Sequence, residues 1–466
     1  MERLNGLDAG MLYAETAAWH MHAGALFVVE HPADDPARVL QDLLRARMHL
    51  LTPLHHRLAE APLHLGMPAW LDTPDVDVAA HIQRVGAPSP GGPREVAELA
   101  GHLFATKLDR DRPPWEFWVI EGLEADRVAF LLKIHHSLLD GVRAARFYEV
   151  LFDLEPGAPL TRPGNNDAHD ESTPSTVAQL ADAARFAVGA PRRIVQLAAD
   201  LARATVGLGR ILRSPRGGDA TLPFGAPRTS LNRALTPRRS VAFASVALAD
   251  VREVKHAFGV TVNDVALAMC AGALREYLEH RDELPSRSLV AQIPVGVHRA
   301  DSRADGNFVA PTGARLHTEI GDPAERLLAI HASTQSAKDV QVALGDDLVT
   351  HALETVPPAL LSAGVGLYQS LGLAEHHPPI FNLIVSNVIG PPFPLYFAGG
   401  RLDASYLLGP LLLGSGLNIT LVSYRDRIDF GIVTCPDVVE RPWEIADALS
   451  ASLAELRRAA RSVNAS

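Results

Sequence analysis

Leu131-Leu132-Lys133-Ile134-His135-His136-Ser137-Leu138-Leu139-Asp140-Gly141 decides how this chain is read. The apolar run 128–132 predicts a buried strand, and the strand carries two adjacent histidines to its end. Strand side chains alternate faces, so His135 and His136 should point to opposite sides, and only one can enter a given cavity. Asp140, four residues past the second histidine, is placed to hold an imidazole or a neighbouring cation. Gly141 allows close backbone approach and starts the next element. Histidine titrates near neutrality, which suits proton transfer.

Two other histidine pairs serve as controls. His55-His56 is followed by Glu60 at the aspartate offset but by no glycine, and His376-His377 runs into Pro378-Pro379. In a chain with 20 histidines, only one pair carries the Asp-Gly. Metal binding would need further ligands, and neither a His-Glu-x-x-His helix nor a Cys-His cluster supplies them. Two ordinary strand-end histidines and a general base both fit the residues alone.

The His-His-x-x-x-Asp-Gly pattern resembles the motif of the CoA-dependent acyltransferase superfamily. The whole chain is similar to its bacterial wax ester synthase/diacylglycerol acyltransferase branch. Leu7-Asp8 with Met21-His22-Ala23-Gly24 resembles the family's N-terminal signature. The run 108–116, with Pro113-Pro114-Trp115, resembles its Pro-Leu-Trp block. Asn263-Asp264 resembles its Asn-Asp block, and Ser386-Asn387-Val388-Ile389-Gly390-Pro391 its Asn-x-x-Gly-Pro block. Pro114 stands where the family usually has leucine, and a local packing change is expected there, not loss of activity.

The resemblance implies an α/β (α+β) fold of two chloramphenicol-acetyltransferase-like domains, with mixed sheets and flanking helices, joined by a helical connector. The corresponding boundaries are 1–161, 162–233 and 234–466. It also implies acyl transfer from acyl-CoA to the hydroxyl of a diacylglycerol or a long-chain alcohol, without a covalent intermediate. Acyl-CoA is then a substrate, and neither cofactor nor metal is expected. The motif's second histidine, His136, would be the base, with His135, Asp140 and Gly141 completing the catalytic motif. Asp140 is expected to be structural and to pair with an arginine, for which Arg299 is the candidate; a solvated arginine is the plainer alternative. Ser386 or Asn387 would supply an oxyanion donor, unless Asn387 only caps a turn. Asn263 and Asp264 are candidates for substrate binding, but Thr261-Val262-Asn263-Asp264 equally reads as a helix-capping box. A relative acting on a polyketide alcohol or carrier-bound substrate, and a non-catalytic lipid-binding homologue, are the competing functions.

Composition agrees with an ordinary globular enzyme. At 466 residues, 47% hydrophobic and 21% charged, two domains are expected. A net charge of −11 argues against nucleic acid as a partner. Cys270 and Cys435 give no disulfide framework and suit a reducing cytoplasm, and residues 1–15 lack the pattern of a signal peptide. The uncharged stretches 355–374 and 404–424 are long enough to span a bilayer, but prolines, glycines and missing basic flanks make both read as core.

Along the chain, strands are predicted at 22–30, 117–120, 127–134, 241–248, 288–294, 382–388, 417–424 and 427–433. Helices are predicted at 36–49, 95–107, 141–153, 261–279 and 443–461. Residues 162–233 hold two amphipathic helical stretches within Pro/Gly-rich loop. Between 175 and 216, seven arginines face two aspartates, so the local charge is +5 in an acidic protein. A basic amphipathic helix can lie on an anionic lipid surface, which makes peripheral contact with the inner membrane or lipid inclusions an expectation. Packing of both apolar faces against the domains is the alternative.

Overall fold

The computed structural model describes residues 2–60, 66–138, 141–158, 175–214, 221, 224–296, 309–345 and 348–464. Two six-stranded sheets organise the chain. In the first, the order is Tyr396–Phe397, Gly400–Leu408, His22–Glu30, Arg127–His135, Trp115–Leu123 and Ile82–Gly86. All its pairings are antiparallel except the last. In the second, the order is Val309–Arg315, Val290–Gly296, Leu383–Ile389, Leu417–Tyr424, Arg427–Thr434 and Ser240–Ala247, with Leu383–Ile389 parallel to both neighbours. A three-stranded sheet of Glu2–Arg3, Ala69–Asp72 and His56–Ala59 sits beside the first. Mixed sheets with flanking helices are the α/β architecture expected from the sequence.

Strand Arg127–His135 is buried along almost its whole length because both faces are covered. Ala129 and Leu131 join the core formed with helix Pro93–Phe104 and the second sheet. Val128, Phe130, Leu132 and Ile134 face the other core, under helices Pro36–Arg47 and Gly141–Leu151. This even–odd division follows from the two-residue period of a strand. Each fully buried large apolar side chain contributes about 1.5–3 kcal/mol of transfer free energy.

Several of the described strands are not among those predicted, and one of them ties the two halves of the chain together. Gly400–Leu408 leaves the C-terminal half and pairs with His22–Glu30 in the first sheet. Where it crosses strand Arg427–Thr434, a Cβ on Gly431 would lie 2.0 Å from the Leu407 carbonyl oxygen, so only glycine fits. Phe397, just before the crossing strand, packs edge-on against Phe130 with ring centroids 4.9 Å apart. The crossing stitches the two halves together.

The stretch 355–374 corrects the sequence reading. It forms helix Pro358–Ser370, in which only Pro358 is buried, while Leu360, Leu367 and Leu371 are 65%, 58% and 56% exposed. Prolines, glycines and missing basic flanks argue against a membrane span but do not bury the stretch: the helix lies on the outside against helix Gly6–Ala14. The stretch 404–424 is core, divided between two strands. Among the described residues no single helix is long and apolar enough to cross a membrane; only the pair Leu248–Phe258 and Val262–Glu279, bent by 104°, meets the length and composition test together. Helix Val262–Glu279 is mostly buried in the protein core.

Candidate active site

The strand carrying the histidines ends at His135, and His136 opens a short 3-10 turn through Leu138. Adjacent in sequence, the two rings have different surroundings. His135 is 1% exposed. Its N–H donates to the Pro114 carbonyl at 2.9 Å. Its Nδ1 accepts the Ser137 main-chain N–H at 3.3 Å and lies 2.6 Å from the Ser137 hydroxyl. Burial pushes its pKa down to about 3, with Glu15 opposing and Arg110, His136 and Lys107 adding to the fall. His135 is therefore a neutral, locked side chain.

His136 is only half-buried. Its N–H donates to the Met21 carbonyl at 2.8 Å. Burial lowers its pKa, and its own main-chain carbonyl acts in the opposite direction. A neutral imidazole that is only partly buried can take a proton from a hydroxyl.

The Pro-Pro-Trp block and the N-terminal signature meet at this turn. Pro113 offers its carbonyl to the Trp115 N–H at 2.8 Å, and Pro114 offers its own to His135. Trp115 is 1% exposed, bonds the Leu54 carbonyl at 3.0 Å through Nε1, and stacks on His81 at 4.2 Å. From the N-terminal signature, Asp8 is tied to Asn5, which caps helix Gly6–Ala14, and Met21 receives the His136 N–H. His22 faces His135 in the ladder and holds the Phe104 carbonyl through Nε2 at 2.7 Å. Gly24 leaves room for Phe104, since a Cβ there would meet its ring at 2.7 Å and the Leu132 carbonyl oxygen at 2.7 Å.

The C-terminal candidates divide. Asp264 and Thr261 form the capping box of helix Val262–Glu279. Asp264 is 1% exposed and accepts from the Thr261 N–H at 2.9 Å, the Thr261 hydroxyl at 2.7 Å and the Thr334 hydroxyl at 2.8 Å. His331 Nδ1 adds a contact at 2.8 Å. Burial alone would raise its pKa, but these bonds hold it below the ordinary carboxylate value. So saturated an acceptor works as a structural hub, which answers the capping alternative for Asp264. Asn263 faces elsewhere: its Oδ1 accepts from Asn387 Nδ2 at 3.2 Å, joining the Asn-Asp block to strand Leu383–Ile389. Ser386, partly buried, precedes Asn387 on that strand. Asp140 and Arg299 lie outside the described residues, and Gly141 is described only as the first residue of helix Gly141–Leu151. Among the described residues, no cluster of His, Cys, Asp or Glu could hold a metal ion.

The control pairs are used structurally. His55 bridges the Met48 and Thr73 carbonyls, His56 contacts Asp72 at 3.2 Å, and His377 bonds Tyr368. Unforeseen in the sequence was the polar cluster behind His135. It comprises Glu15 with Lys107 and Arg110, and Lys133, 0% exposed, paired with Glu116 at 2.7 Å.

Residues 4–266 match the family profile of the wax ester synthase/diacylglycerol acyltransferase catalytic domain, and residues 305–457 that of the WS/DGAT C-terminal domain. This chain belongs to the wax ester synthase/diacylglycerol acyltransferase family. Two relatives from Mycobacterium tuberculosis H37Rv carry provisional names as diacylglycerol O-acyltransferases. One is 37% identical over 461 residues, covering 98% of this chain and 90% of its own; the other is 35% identical over 465 residues, covering 99% and 97%. The solved wax ester synthase/diacylglycerol acyltransferase of Marinobacter aquaeolei VT8 superposes with a TM-score of 0.70 at 30% identity, covering 99% of this chain and 100% of that one. The first condensation domain of the calcium-dependent antibiotic synthetase shares the fold, with a TM-score of 0.56 at 16% identity over 98% of this chain and 96% of its own. The protein is an acyltransferase of this family.

Proposed function

We propose that this wax ester synthase/diacylglycerol acyltransferase family member moves a fatty acyl group from acyl-CoA to diacylglycerol, to a long-chain alcohol, or to both, with His136 as general base. One observation carries the assignment of the base: of two adjacent histidines, His135 is buried and bonded to Ser137, whereas His136 is only partly buried at the strand end. The His136 imidazole takes the hydroxyl proton as the alcohol oxygen attacks the thioester carbonyl carbon. The tetrahedral intermediate collapses, the carbon–sulfur bond breaks, and the imidazolium returns the proton to the departing CoA thiolate. A thiolate leaves readily, so no strong acid is needed. Base catalysis supplies about 10²–10⁴-fold, and orientation of the two bound substrates much of the remainder. The scheme uses neither covalent enzyme intermediate nor resident cofactor. Ser386 and Asn387 are the proposed oxyanion donors, and Asp140 with Arg299 a structural pair.

The protein meets its insoluble substrates at a cytoplasmic lipid surface. Helix Ala190–Leu212 supports this because it is built inside out. Its buried residues are Asp200 and Ala204, and a Cβ on Gly207 would lie 2.9 Å from Ala343 of helix Pro323–Leu344. Ile194, Val195, Leu201 and Val206 are 50–69% exposed, with Arg192, Arg203, Arg210 and Arg213 around them. Small and polar residues face the protein and large apolar ones face out, with cations to meet anionic headgroups. The test of acyl transfer is a panel of acyl-CoAs given to purified protein with diacylglycerol or hexadecanol, and the product lipids resolved. Triacylglycerol or wax ester should form; CoA release without either product would contradict the reading.

A further inference from the structure

Glu15 follows helix Gly6–Ala14, far from the histidine motif in sequence, and its side chain is 2% exposed. A buried carboxylate is costly unless paired. Its Oε2 lies 2.5 Å from Arg110 and 3.4 Å from Lys107, and its Oε1 accepts the Met21 N–H at 3.2 Å. Met21 in turn accepts the His136 N–H at 2.8 Å. A single residue thus links the carboxylate to the main chain of His136. His135, between them, has a buried Nε2 without a hydrogen-bond partner among the described residues.

We propose that Glu15 is a positioning residue for acyl transfer, fixing His136 through Met21 and screening the paired histidines from Arg110 and Lys107. The proposal rests on the reading of His136 as the base. Arg110 and Lys107 disfavour a proton on the adjacent His135 and Glu15 opposes them. When His136 takes the alcohol proton, the same balance extends, in this proposal, to that neighbouring cation.

The other charged or titratable groups nearby are accounted for. His20, lowered to about 4 by burial and by Arg239, and His22, lowered further by burial and Lys133, are neutral. Lys133 is paired with Glu116, Arg239 bonds main-chain carbonyls, and Glu60 takes the other arm of Arg110. Burial would raise the pKa of Glu15, but Arg110, Lys107 and the Met21 N–H work against it and it lies below its ordinary value, so it is charged near neutral pH.

The experiment is the pH dependence of kcat/KM for Glu15→Gln, Glu15→Asp and Arg110→Gln, with His136→Ala and thermal melts alongside. Glu15→Gln leaves Lys107 without this carboxylate and Arg110 with Glu60 alone, so the base becomes weaker. Its kcat falls about ten-fold with KM unchanged, and the acid limb moves to lower pH by about one unit. Arg110→Gln moves that limb to higher pH, and Glu15→Asp restores it towards the parent. Limbs that stay in place, or move the same way in both charge variants, while His136→Ala is inactive, assign Glu15 a structural role only and overturn the proposal. An active His136→Ala removes the base reading itself. Should both Glu15 variants unfold, the limb of Arg110→Gln decides alone.

Discussion

The Pro114 carbonyl accepts the His135 amide hydrogen at 2.9 Å. This contact is made by the main chain and needs no particular side chain at 114. Trp115, next along, anchors the segment through Leu54 and His81.

Replacement of Pro114 by the family's usual leucine should therefore be nearly silent. Pro114→Leu is expected to keep activity within about two-fold, whereas Trp115→Ala should cost about 3–5 kcal/mol of stability as a large-to-small core change. Turnover beside chemical denaturation checks both; a Pro114→Leu protein that folds but does not turn over would show that the proline itself matters.

Asp264 makes a separate, pH-dependent contribution. Its folded-state pKa lies below the unfolded value of about 3.9, so its stabilisation is present above that value and lost as pH falls through the folded one. Asp264→Asn should destabilise the protein by about 1.5–3 kcal/mol at neutral pH, the worth of a hydrogen bond to a charged group. The deficit should shrink below pH ~4. A deficit independent of pH would mean that shape, not charge, is what Asp264 supplies.

The inside-out connector helix predicts a defect confined to lipid surfaces. Arg192, Arg210 and Arg213 are exposed, while Arg203 is paired with Asp200 and is best left alone. The triple change of Arg192, Arg210 and Arg213 to glutamate should weaken co-sedimentation with anionic liposomes at low salt, by about 1 kcal/mol per reversed residue or more. Activity on lipid dispersions should fall while turnover of a short soluble alcohol survives. Undiminished sedimentation would place these arginines in solvent only.

Much of this was legible from local pattern. Strands His22–Glu30 and Leu417–Tyr424 fall on the predicted residues because alternation and flanking turns define both ends. The capping box at Thr261 and Asp264 was legible because hydroxyl, spacing and carboxylate are all local. The crossing strand Gly400–Leu408 was not: its register shifts between Leu402 and Ala404, which breaks the two-residue period, and its partner is some 370 residues away. Glu15 carried no signal because its meaning comes from Arg110 and His135, distant in sequence. Helix Pro358–Ser370 misled because apolar composition alone does not distinguish a core from an outward-facing apolar surface.

The central claim is the asymmetry of the two histidines, and paired measurement of kcat/KM for His136→Ala and His135→Ala tests it. With thermal melts showing both folded, His136→Ala should lose at least about 10²-fold, the share of a general base. His135→Ala should lose less activity and more stability, since its ring is buried and bonded to Ser137. A folded His135→Ala without activity, beside a His136→Ala near the parent rate, would contradict the account.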